Sequence, residues 1–99
     1  MSYFAHLSLS FTAEQVSTYQ TAKRVLADIG FYSTVVGESQ TSFALPRNAF
    51  AGQFDGEGAA KIRDDLYASI KSILQANNIA ATCFLSVGGD KWAWKRFVA

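Results

Sequence analysis

The chain has 99 residues, a net charge of +1, and is 49% apolar and 14% aromatic. That is enough for one domain with its own core, and too apolar for an intrinsically disordered segment. So small a charge supplies no global field for a nucleic acid or an anionic membrane and excludes an acidic DNA mimic, so any electrostatic footprint must be local.

The longest apolar runs fall far short of a membrane span, and the N-terminus shows no signal-peptide pattern, so the expected location is the cytoplasm. The single cysteine, Cys83, cannot form an internal disulfide and lies in an apolar run, where it is expected to pack as a small hydrophobe.

Residues 3–11 alternate in character. Tyr3, Ala5, Leu7, Leu9 and Phe11 point one way, and Phe4, His6, Ser8 and Ser10 the other, which predicts a strand with one buried and one polar face. Thr12 with Gln15 forms a capping box, and Val16, Tyr19, Ala22, Leu26 and Ile29 make the apolar stripe of a first helix that Gly30 closes. Phe31–Val36 reads as a second strand, Gly37–Gln40 as a turn and Thr41–Leu45 as a third strand returning in a hairpin. Pro46-Arg47-Asn48 interrupts it at an edge or bulge, and Ala49–Phe54 is extended again with Phe50 and Phe54 as anchors. Asp55 and Glu57 are placed to open a second helix, whose stripe is Ile62, Leu66, Ile70, Ile73 and Leu74 and which Asn77-Asn78 closes. Ile79–Val87 is the fourth strand, with Ala81, Cys83, Leu85 and Val87 alternating against Thr82, Phe84 and Ser86.

This β-α-β-β-α-β order predicts an α+β, ferredoxin-like sandwich: an antiparallel sheet with two helices on one face and the other face open. The first and fourth strands are expected to run centrally, with the first beside the third and fourth. Residues 1–89 form the domain. Residues 90–99 are a basic-aromatic segment of the same domain and a candidate fifth strand.

The open face would carry Phe4, His6, Ser8 and Ser10 with Thr82, Phe84 and Ser86, an aromatic-plus-hydroxyl surface of the kind that stacks bases. A second subunit covering it is the competing expectation. His6 is the only histidine, and no His-Glu-x-x-His, Cys-x-x-Cys or Gly-x-Ser-x-Gly pattern surrounds it. A structural role suits it better than catalysis, although an imidazole alone can act as general base toward an RNA 2′-hydroxyl. Asp64 and Asp65 point about 100° apart on a helix and do not converge on a metal. No metal or cofactor site is expected. The glycines of Gly52–Gly58 lack the phosphate-loop ending and read as turn residues.

The terminal segment Lys91-Trp92-Ala93-Trp94-Lys95-Arg96-Phe97 holds both tryptophans and three of the nine Lys/Arg. Its interleaved cations and rings suit phosphate contact by Lys91, Lys95 and Arg96 with stacking by Trp92 and Trp94. They equally suit pairing with a neighbouring subunit's sheet edge, and that assembly role is preferred.

In length, element order, the Gly30-Phe31-Tyr32-Ser33 entry to the second strand and the Leu45-Pro46-Arg47-Asn48 stretch, the chain resembles small ferredoxin-like proteins of bacterial defence and toxin–antitoxin systems. These are the CRISPR-associated ferredoxin-fold endoribonuclease-like subunit and the GhoS-type antitoxin. The resemblance implies a homodimer, assembled in the CRISPR subunit through a C-terminal strand. That subunit's metal-dependent members place an aspartate at the end of the first strand, where Ser10-Phe11-Thr12 stands here. The expected function is thus a homodimeric binder of RNA or single-stranded nucleic acid, an antitoxin- or defence-type regulator that is more a binder than an enzyme. Phe4, Arg47, Phe84 and the tail would make the contacts. The alternative is a protein-interaction module, such as a phage- or plasmid-encoded inhibitor laying its aromatic tail on a host or toxin protein.

Overall fold

The computed structural model describes residues 2–12, 16–36, 40–89, 93, 95 and 97–99. Their elements are β1 (Ser2–Phe11), α1 (Val16–Asp28), β2 (Thr34–Val36), β3 (Ser42–Ala44), β4 (Ala49–Asp55), α2 (Ala59–Ala76) and β5 (Ala81–Gly88). The chain is a small α+β fold: an antiparallel sheet in the order β4-β1-β5, a separate β2-β3 hairpin, and two helices.

The alternation in β1 builds the core. Ala5, Leu7 and Leu9 are buried, while Phe4, His6 and Ser8 between them are only half-buried. Ala22 and Leu26 of α1 and Ile62, Leu66, Ile70 and Leu74 of α2 join Ala5, Leu7 and Leu9 in one cluster, so both helices pack on that face. Fully burying one such side chain contributes about 1.5–3 kcal/mol. Phe31 and Phe50 are both 0% exposed and fill the same core.

Both helices end in the same way. Gly30, at φ +95°, donates its N–H to Ala27 O at 3.1 Å while Phe31 N–H reaches Leu26 O at 2.9 Å. In α2, Asn78, at φ +58°, donates to Gln75 O at 3.1 Å and Ile79 to Leu74 O at 2.9 Å. These are Schellman caps, and each leads an apolar residue, Phe31 or Ile79, back into the core.

Four sequence expectations need correction, while the interruption at Pro46-Arg47-Asn48 is found where expected. The fourth predicted strand, β5, is not central: among the described residues it pairs only with β1, which alone lies between two strands. The expected interruption after the third strand separates β3 from β4, because Pro46 lacks an N–H and Asn48 adopts φ +68°; the turn closes with Ala49 N–H on Pro46 O at 3.0 Å. Beyond that turn the strand changes partner, as Leu9 N–H bonds Asn48 O at 2.9 Å. The second strand is shortened to Thr34–Val36, and Tyr32 instead exchanges hydrogen bonds of 2.8 and 2.9 Å with Ala51 of β4. Asp55 and Glu57 do not open the second helix: Asp55 ends β4, and α2 starts at Ala59 behind Gly58 with no acidic residue in its first turn. Cys83 is exposed rather than buried. The proposed capping-box residue Gln15 lies outside the described residues.

Candidate nucleic-acid interface

The register places the open face residue by residue. Opposite the helices, β1 presents Phe4, His6, Ser8 and Ser10, which face Gly88, Ser86, Phe84 and Thr82 of β5. On the other side Phe4, His6 and Ser8 face Gln53, Ala51 and Ala49 of β4. Facing residues in an antiparallel pair project to the same side, so these form one surface. It carries hydroxyls, an imidazole and two aromatic rings, and at its end the carboxylate of Asp55 stands opposite Ser2.

Phe84 is its most prominent group, 66% exposed in the middle of β5 and opposite Ser8. A phenyl ring standing free on a sheet between hydroxyls can stack on a base while the hydroxyls hydrogen-bond its edge. Phe4 lies four residues along β1 from Ser8, about 13 Å away at strand spacing. The two rings are therefore too far apart to stack on one base or on adjacent bases, and would meet bases about two nucleotides apart.

His6 sits between them. Its Nε2 and Ser8 Oγ lie 3.2 Å apart and share a hydrogen bond whose direction follows the imidazole tautomer. That bond orients the ring without consuming both nitrogens, so one remains to take a proton. No Lys or Arg stands on the described face to stabilise the charge of a phosphoryl transition state.

Arg47 is not brought to this surface. Its guanidinium stacks over the Tyr19 ring at 4.5 Å, and Tyr19 in turn meets Phe50 on the helix side of the sheet. Lys91, Trp92, Trp94 and Arg96 lie outside the described residues. Lys95, Phe97 and Val98 are exposed, the last two by 72% and 85%, and no described residue of the tail belongs to a strand.

Sequence reasoning missed Gln53, whose Nε2 donates to Ser2 Oγ on this face. The signal was present: small or polar residues at 49, 51 and 53 alternate with Phe50, Gly52 and Phe54. Gly52 is explained by close approach, since a Cβ there would run into the Gly30 carbonyl oxygen and the Phe54 ring. A Cβ at Gly56 would likewise meet the Ile62 side chain, whereas one at Gly58 would meet open space. Among the described residues no group of His, Cys, Asp or Glu could hold a metal ion. Asp64 and Asp65 instead pair with Arg63 at 2.9 Å and Lys61 at 3.1 Å, both exposed.

A second feature lies on the helix side, where α2 leaves the outer part of β5 uncovered. There a groove of about 820 Å³ has a floor of Leu74, Ile79 and Leu85 and a rim of Arg63, Tyr67 and Lys71. Cys83 opens into it, and partial burial pushes its thiol pKa up. No helix among the described residues is long and apolar enough to cross a membrane. No protein-family model matches this chain, and neither does any curated protein sequence.

Proposed function

We propose that this chain is a ferredoxin-like, homodimeric binder of RNA or single-stranded nucleic acid, acting in the cytoplasm as an antitoxin- or defence-type regulator with little or no ribonuclease activity. The observation that carries the reading is the open face: a sheet surface of hydroxyls around the 66%-exposed Phe84, with Asp55 opposite Ser2 at one end. Such a surface suits unpaired bases and offers nothing to the backbone of a duplex, so single strands are the fitting ligand. Phosphate contact falls to the cations of the terminal segment, Lys91, Lys95 and Arg96. The ferredoxin-like reading is supported by the order β5-β1-β4, extended past β4 by the Tyr32–Ala51 bridge, with both helices on one face. A lone thiol suits a reducing compartment.

Fluorescence anisotropy with a labelled single-stranded RNA tests the reading. Phe84→Ala is expected to weaken binding by about five- to a hundredfold, the loss of one base stack. Trp92→Ala with Trp94→Ala is expected to abolish it while circular dichroism stays native. If both variants bind as tightly as the parent at matched salt, the nucleic-acid reading fails.

The exposed Phe97 and Val98 favour a second reading, in which the tail docks on a host or toxin protein. It predicts no salt-dependent affinity for nucleic acid and a stoichiometric protein complex that Phe97→Ala disrupts.

A further inference from the structure

The outer edge of β5 is unusual for a sheet that ends there. Strands at an edge are normally blunted by charge, proline or a bulge, since their unpaired amides invite another strand. Over its eight residues β5 carries no Lys, Arg, Asp, Glu or Pro. It runs in unbroken register with β1, and no described strand covers its other side.

The direction of its backbone groups follows from one hydrogen bond. Thr12 N–H donates to Ala80 O at 3.0 Å, one step beyond the Phe11–Ala81 pair. Bonded and non-bonded pairs alternate along an antiparallel ladder. Thr82, Phe84 and Ser86 therefore turn their main-chain groups toward β1, and Ala81, Cys83, Leu85 and Val87 turn theirs outward. The 3.8 Å contact from Cys83 Sγ to Ala81 O, a weak thiol bond, agrees with a carbonyl facing that edge.

We infer that two copies of the chain join through these edges, β5 antiparallel to β5, with the twofold axis passing through Phe84. The inference rests on the homodimeric reading above and assigns its interface. A twofold relating adjacent antiparallel strands stands perpendicular to the sheet, so one residue must face its own copy. With Phe84 on the axis, Cys83 meets Leu85 of the second copy and Ala81 meets its Val87. All four outward-facing residues are then bonded. Moving the axis to Leu85 sets Ala81 against Gly89, past the strand's end, and moving it to Cys83 sets Val87 against Ile79, before its start.

The same axis brings together the two exposed Phe84 rings, a favourable cross-strand pair, at the centre of a continuous open face. It also reverses α2 against its copy. The groove beside β5, whose lining carries Asp64 as well as Arg63 and Lys71, then opens toward its own copy.

The decisive experiment uses the single cysteine. Cys83 lies off the axis, about 8 Å Cα to Cα from its copy, whereas residue 84 lies about 4.5 Å from its own. A disulfide needs roughly 4.4–6.8 Å. The parent chain is expected to resist oxidative cross-linking, and Phe84→Cys in a Cys83→Ser background to cross-link nearly completely. In the parent, raising the concentration through the dimer range should slow amide exchange at Cys83 and Leu85 and leave Phe84, already bonded to β1, unchanged. Phe84→Lys places like charges across the axis and should raise the dimer dissociation constant at least about tenfold. A dimer by sedimentation in which the Phe84→Cys variant fails to cross-link and the Cys83 and Leu85 amides of the parent are unaffected overturns the β5 interface and leaves the homodimer standing. A monomer at every concentration overturns both.

Discussion

Gly52 carries more structural consequence than its lack of a side chain suggests. It is where β4 passes under the carbonyl of Gly30, and any Cβ collides with that oxygen and with the Phe54 ring. Gly52→Ala is expected to destabilise the fold by about 1–3 kcal/mol, the range for overpacking, read as a lower urea midpoint with unchanged slope. The neighbouring Phe50, 0% exposed, should cost about 3–5 kcal/mol when cut to alanine. Against a typical total of about 5–15 kcal/mol, that substitution can unfold the domain.

Cys83 makes a prediction of a different kind. Partial burial favours the neutral thiol and raises its pKa. Alkylation by iodoacetamide at about pH 8, near the ordinary thiol pKa, should therefore be slower in the folded protein than in the urea-unfolded chain, and a rate equal or faster would contradict the assignment. A raised thiol pKa stabilises the fold fully below the unfolded thiol's range and loses that contribution as pH rises through the folded value. The dependence thus lies on the alkaline side.

At the scale of elements, the two helix ends show how far local chemistry reaches. Gly30 and Asn78 are the residue types that tolerate a left-handed backbone, and both stand where the apolar stripe stops. Gly30→Ala is expected to cost about 1–2 kcal/mol through the left-handed conformation alone, and its methyl would press to 3.0 Å from the Phe54 ring. A thermal melt reads both effects together.

The strand boundaries were less legible than these caps. Alternation identified β1 and β5 with correct faces, because each has a dry side and a wet side. It could not show that Pro46–Asn48 ends one strand pairing and begins another, since partner choice leaves no trace in period. Asp55 and Glu57 resembled a helix start for a similar reason: carboxylates suit that position, but Gly58 let α2 begin later.

For the whole molecule, the open face and the edge of β5 raise the functional questions. If the tail cations hold phosphate, Lys95→Gln should lessen the slope of log affinity against log salt by about 0.7, the value for one contact to a single strand. An unchanged slope would remove Lys95 from the interface.

The sequence by itself determined the order of the principal elements, the two caps, the core-facing sides of β1 and α2 (with Tyr3, Phe11 and Ile73 only partly buried), and a hydroxyl-and-aromatic face with His6, Ser8 and Phe84 on it. These follow from periods of two and 3.6 and from backbone preference, all of which act within a few residues. Only the tertiary structure decided that β5 lies at an edge, that Cys83 opens into a groove, that Arg47 stacks on Tyr19 away from the open face, and that Gln53 joins it. Each of those depends on which distant segments lie side by side. Hydrogen bonding and packing across the sheet set that arrangement, and no local pattern encodes it.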